Sequence, residues 1–382
     1  MELQDVFSVI DGLNEQYCDL WERICNIESP TDYKEGIDQV GDIFIKMARE
    51  RGLQVKVQEY ENAGNAIAIT LNPEATARPV VFSGHLDTVH PIGIFGTPAV
   101  RREKNILYGP GVMDCKGGAV ASMMALDALQ KCGFQTRPVK VFLQTDEETN
   151  CANSDKQTIA FMCSEAKDAV AFLNAEGIYG NTVVLVRKGI LRCRFTVRGK
   201  SAHAAMCMDG ASAICEAAHK IVKLETLKDK DGITCNCGVI HGGTVSNTVP
   251  EECWFEVDIR FATDEQYDAA FAFCQKVAAE TAIDGCSCLL EKISDRPAMP
   301  LTDRNLALLD KINEIYGRCG LPTLTGRATT SGSDAAYTTQ AGIPTVDNIG
   351  IAGGNIHSPE EFADMDSLAD CVKRLVTVAL YI

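Results

Sequence analysis

Pro79-Val80-Val81-Phe82-Ser83 is apolar at consecutive positions, with no polar face. A strand of that composition must be covered on both sides. Val139–Gln144, Ala169–Asn174 and Ile343–Val346 have the same character. Gly117–Lys131 (GGAVASMMALDALQK) lies between them with helical periodicity and a start of small residues. Strands alternating with helices predict an α/β fold, a mostly parallel or mixed sheet with helices on both faces. Ahead of the first such strand, the chain to about Arg51 reads as two helices. They break near Ser29-Pro30-Thr31-Asp32, where Pro ends one helix and Thr or Asp can cap the next. Gln54–Tyr60 and Ala66–Leu71 then read as strands.

From about Gly189 the pattern changes. Ile190–Val197 alternates as a strand, Ala211–Leu227 is helical, and Ile233–His241 and Cys253–Phe261 are strands. Asp264–Thr281 is helical and Ser287–Ile293 is a last strand. That order, β-α-β-β-α-β, is a ferredoxin-like α+β unit. After Pro297 and Pro300, a helix at Asn305–Gly317 resumes the first pattern. A chain of 382 residues suits two domains. The expected division is 1–188 with 299–382 for the larger domain, and 189–298 for an inserted one.

The formal net charge is −16. Nucleic acid and anionic membrane surfaces both require a concentrated basic face, so neither is an expected partner. No apolar run is long enough to span a bilayer. The N-terminus (MELQDVFSVIDGLNEQ) carries acids where an export signal would carry bases, so a cytoplasmic location is expected. In that setting the 17 cysteines read as reduced thiols. Cys235/Cys237 and Cys286/Cys288 lack the two-residue gap of metal ribbons, and strand alternation accounts for both pairs.

Polar chemistry gathers just beyond the apolar strands. His85-Leu86-Asp87 follows the strand at 79–83, and loops after the carboxyl ends of such strands form the ligand crevice. His is a common metal ligand and a nearby carboxylate can orient its ring. The same pair also suits a plain hydrogen-bonded loop. Asp114 sits where a glycine-rich turn (GPGVMDCKGG) enters a helix, which suits a fixed carboxylate or a helix cap. The turn lacks the spacing of a phosphate-cradling loop. Asp146-Glu147-Glu148 follow the strand at 139–144. One carboxylate can bind metal while its neighbour takes a proton from the attacking water, although acids at a strand end are often merely solvated. Glu176 ends a further apolar strand, and His357 lies in GIAGGNIHSPEEF. Five strand ends are thus expected to deliver His, Asp, Glu-Glu, Glu and His to one sheet edge. Such donors suit zinc, with cobalt or manganese also possible.

The segments GHLDTVHP, YGPGVMDCKGG, TDEE, RKG…GKSAHA, GGTVSNTVP, VDIR, GSDAAY and NIHSPEE resemble, in order and across almost the whole chain, the M20 family of zinc aminoacylases and carboxypeptidases. The glutamate carboxypeptidase branch is the most similar. The resemblance implies two zinc ions per chain bridged by Asp114, with His85 and Glu176 completing one site and Glu148 and His357 the other. It also implies Glu147 as general base, Asp87 as the group orienting His85, and a cis peptide at Asp114-Cys115. The larger domain would be catalytic and the inserted one a dimerisation or lid domain. His203 would reach a partner subunit's site in a homodimer and polarise the scissile carbonyl. Asn247 and Arg260 would hold a substrate carboxylate, Arg through its planar fork. His90, His219 and His241 match no ligand and read as structural. Cys115 and Ala205 depart from the common pattern, and neither is expected to touch a metal ligand. The implied activity is hydrolysis of an amide or peptide bond next to a free carboxylate, in a small peptide. An N-acyl-amino-acid deacylase or desuccinylase is the alternative, and a non-catalytic metal-binding homologue the other class.

Overall fold

The computed structural model describes residues 2–228 and 232–382. The chain forms two compact units, Met1–Val186 with Leu301–Ala328 and Ser333–Ile382, and Arg187–Pro300 with Thr329–Gly332.

The first unit is built on a mixed eight-stranded sheet. Its centre is parallel. Val80–His85 runs between Val139–Gln144 and Ala171–Asn174, and Thr345–Asp347 follows beyond 171–174. The flanks are antiparallel, with Gln54–Gln58 and Ala66–Leu71 on one side and Thr182–Arg187 on the other. Every residue of Val80–His85 is buried, as its uninterrupted apolar run requires.

Helix Lys116–Lys131 packs against that strand and is itself covered by Leu3–Cys25 and Ser367–Tyr381. Fourteen of its sixteen residues are buried, so it is a central helix and not an amphipathic surface one. Its first turn presses on the end of strand 171–174. A Cβ on Gly118 would lie 2.0 Å from the Ala175 carbonyl oxygen, which only glycine permits. The N-terminal break differs from expectation. Helix Lys34–Glu50 starts after Tyr33 with no side-chain cap, and Thr31 spends its hydroxyl on Asp87 at 2.7 Å.

The second unit is an antiparallel sheet in the order Thr234–Gly242, Glu252–Phe261, Gly189–Arg198, Ser287–Arg296. Helices Ala213–Leu224 and Asp264–Ala279 cover one face. Alternate residues Leu191, Cys193, Phe195 and Val197 point into that core, where Phe195 stacks on Phe255 at 4.8 Å. The opposite face carries Arg192, Arg194 and Arg198. All seventeen cysteines are free thiols. Among the described residues no helix is long and apolar enough to cross a membrane.

Candidate metal centre

Four of the expected residues come from the ends of three central strands. His85 is the last residue of its strand, Glu147 and Glu148 form a short 3-10 turn after strand 139–144, and Glu176 follows strand 171–174. Asp87, fully buried, ties two of these together. Its backbone oxygen lies 3.0 Å and its Oδ1 3.4 Å from His85 Nδ1. Its carboxylate also accepts the Glu147 N–H at 3.2 Å, the Glu148 N–H at 3.1 Å and the Thr31 hydroxyl. One carboxylate therefore fixes the His85 ring and the turn bearing both glutamates. Nothing local in the sequence marks Thr31 for this role, because the contact closes over 56 residues.

The expectation of five strand ends at one edge is corrected for the other two. Asp114 sits in the loop between the outlying strand Ile106–Tyr108 and helix 116–131, and His357 lies ten positions beyond Thr345–Asp347, past Gly353–Gly354. Loops this long need their own anchor, and Glu361 supplies it. Only 1% exposed, it accepts the N–H groups of Gly111 (3.2 Å), Met113 (2.9 Å) and Asp114 (3.1 Å), and its Oε2 lies 3.2 Å from His90 Nε2. The segment carrying His357 thereby holds the loop carrying Asp114. His90 belongs to this support. The peptide between Asp114 and Cys115 is cis.

The other four side chains gather around Asp114. Its Oδ1 is 3.1 Å from His85 Nε2, which in turn lies 3.6 Å from Glu176 Oε1. Its Oδ2 is 3.2 Å from His357 Nε2, which is also 3.2 Å from Glu148 Oε2. Each carboxylate oxygen of Asp114 thus faces a different histidine–glutamate pair. The His85 end is buried, whereas the His357 side chain is 53% exposed.

The electrostatics show how much positive charge this cluster calls for. Burial opposes charge on His85, but Glu176, Asp114 and Asp87 outweigh it and hold the imidazolium well above the usual histidine range. Hydrogen bonds to Asp114 and Glu148 raise His357 to about 11. Burial, then the Asp114 charge, pushes Glu148 up to about 8, and burial raises Glu176 as well. Asp114 itself, despite burial, is held below the carboxylate range by His357 and His85. Protons retained on the cluster balance three carboxylates that have little water to screen them. Divalent cations answer the same need, and imidazole nitrogen with carboxylate oxygen is a donor set that fits zinc.

Cys115 corrects a further expectation. Its Sγ lies in one group with donor atoms of His85 and Glu176, all within 4.8 Å of one another. The thiol is drawn there by the packing of the helix start on strand 171–174, where Sγ contacts the Ala175 oxygen at 3.3 Å.

The remaining expected residues lie in the second unit. Ala202–His203 pairs antiparallel with Thr248–Val249, and the Ala204 N–H donates to the Asn247 oxygen at 2.9 Å, so His203 and Asn247 share one small ribbon. His203 Nδ1 accepts the Ala205 N–H at 3.2 Å, which places the proton of the neutral ring on Nε2. Arg260 is on the sheet, its Nε donating to Asp258 Oδ1 at 2.6 Å. His241 stacks on Trp254 at 4.5 Å.

Comparison with known proteins agrees with this architecture. Carboxypeptidase G2 of Pseudomonas sp. (strain RS-16) is 27% identical over 356 residues, 91% of this chain and 84% of that protein. A succinyl-diaminopimelate desuccinylase of Dechloromonas aromatica is 27% identical over 238 residues, 58% of this chain and 62% of that one. The fold superposes on a tripeptidase from Staphylococcus aureus with a TM-score of 0.78 at 22% identity, covering 96% of this chain and 98% of the other. The family model for peptidases M20/M25/M40 matches residues 81–381. The chain belongs to this peptidase family, whose members are metal-dependent hydrolases.

Proposed function

We infer that this protein is a dinuclear zinc hydrolase that cleaves an amide or peptide bond next to a free carboxylate, as a carboxypeptidase or dipeptidase does. The observation that carries the reading is Asp114, whose two oxygens each face a separate histidine–glutamate pair. His85 and Glu176 would hold one ion, Glu148 and His357 the other, with Asp114 shared. Cobalt or manganese would fit the same donors. Bound ions of this kind supply Lewis acidity at neutral pH.

The chain's own groups divide the remaining work. Glu147, set beside the ligands by its N–H bond to Asp87, takes the proton of the attacking water and returns it to the leaving amine. His203, with its Nε2–H available, donates to the developing oxyanion of a partner subunit's substrate. The second unit, taken as 189–298, acts as the dimerisation and lid domain of a homodimer, and 1–188 with 299–382 as the catalytic domain. Arg260 and Asn247 hold the substrate carboxylate so that attack falls on one bond. The free thiols and acidic charge suit a reducing cytoplasm. A deacylase or desuccinylase would use the same chemistry on an N-acyl amino acid, a reading favoured by the desuccinylase among the relatives.

Zinc-loaded protein is to be screened against dipeptides ending in Glu, Asp and apolar residues, and against N-acetyl and N-succinyl amino acids. Each substrate is paired with its carboxyl-terminal amide. Turnover should require the free carboxylate, and Arg260→Ala should raise KM for those substrates by roughly tenfold or more. Equal wild-type rates on acids and amides would remove the carboxylate requirement.

A further inference from the structure

The helix-free face of the second unit carries a ladder of charges that is unevenly filled. Arg192, Arg194 and Arg198 stand opposite Asp258, Glu256 and Glu252 on the neighbouring strand. In two rungs the arginine has at least one acid to itself. Arg194 donates to Glu256, with Glu291 on its other side and Trp254 under its guanidinium, and Arg198 donates to Glu252. The third rung holds two cations on one anion. Asp258 Oδ2 accepts from Arg192 Nε at 3.0 Å and from Arg260 Nη2 at 3.1 Å, while Oδ1 accepts from Arg260 Nε.

The residues directly opposite on the outer strands are uncharged, Asn236 facing Asp258 and Ser294 facing Arg192. One positive charge is left over at this place on a chain of net charge −16. Both guanidinium groups meet Asp258 through their Nε, and among the described residues Nη1 of each has no hydrogen-bond partner. Two part-exposed arginines with unused donors and one surplus charge match a single incoming carboxylate.

We propose that Arg192 acts with Arg260 as a two-arginine subsite for the substrate's free carboxylate, with Asp258 holding the guanidinium groups side by side. This inference rests on the carboxylate-dependent reading above and adds Arg192 as a specificity-determining residue. Arg194, on the same strand as Arg192 but flanked by Glu256 and Glu291 of the two neighbouring strands, serves as the internal control.

The test is calorimetric binding of N-acetyl-L-leucine and N-acetyl-L-leucinamide to zinc-loaded protein carrying Glu147→Gln, which slows hydrolysis. Arg192→Gln on that background should weaken the acid by roughly three- to tenfold, as loss of a part-exposed charged hydrogen bond does, and leave the amide unchanged. Arg192→Lys should recover part of the loss, and Arg194→Gln should change neither ligand. Arg192→Gln behaving like Arg194→Gln while Arg260→Ala still weakens the acid would overturn the role of Arg192 alone. Equal weakening of acid and amide by Arg192→Gln would mark a structural role and overturn it too. A parent protein that does not prefer the acid would remove the carboxylate reading underneath.

Discussion

Glu361 is not a proposed ligand, yet the structure makes it a strong determinant of metal affinity. In Glu361→Gln the side chain keeps its shape and loses its charge. Three backbone N–H groups of the Asp114 loop now converge on it. A glutamine offers them one oxygen and turns an NH2 toward the rest, so at least one buried donor is left unpaired at about 1–3 kcal/mol. The bonds that survive lose their charge assistance, and the total cost to stability should be about 2–4 kcal/mol. Because the Asp114 N–H is one of the three, its carboxylate loses its fixed position. Loss of such an outer support typically weakens metal binding roughly 10- to 100-fold. Competition against a chelator of known affinity measures the second effect, and thermal unfolding with and without metal the first. Glu360→Gln, its exposed neighbour, is the control and should change neither. Unchanged metal affinity in Glu361→Gln would refute the anchoring argument, even if the melting temperature fell.

Glu147→Gln should keep near-normal metal content and lose turnover by about 10²-fold or more, because it removes a base and no ligand. Glu148→Gln should instead lose metal, and the reverse pattern in elemental analysis would exchange the two roles. Thr31→Val removes the hydroxyl bond to Asp87 and should lower stability by about 1–3 kcal/mol in denaturant titration. No change there would mean Asp87 is held by its backbone donors alone. Co-expressed Glu147→Gln and His203→Ala chains should regain roughly a quarter of wild-type activity through mixed dimers, under random pairing with one intact site per mixed pair. No rescue with mixed dimers present would mean that each site is built from one chain.

What could be read in the sequence follows from burial. The central strands at 80–85, 139–144 and 171–174 announce themselves because both faces must be apolar, and the inserted ferredoxin-like order shows because its two inner strands, 189–198 and 252–261, alternate. Short outlying strands such as Arg101–Glu103 and Ile106–Tyr108 pair through backbone and carry little pattern of their own. Helix 116–131 was legible as a helix but not as one buried on all sides, since that depends on which elements cover it. The acids and histidines of the centre stood out by chemical type. The groups that support them did not, because Thr31 and Glu361 act across 56 and about 250 residues through bonds that no local pattern encodes. Cys115 was set aside from the sequence for the same reason. Its approach to His85 and Glu176 depends on how a helix start meets the end of a distant strand.

The position of the metal is the most direct test of this reading. Crystals of the zinc-replete protein, measured just above and just below the zinc absorption edge, should show two anomalous peaks per chain. One should lie between His85 and Glu176, the other between Glu148 and His357, each in contact with one oxygen of Asp114. A single peak, or two that do not share Asp114, would contradict the dinuclear centre.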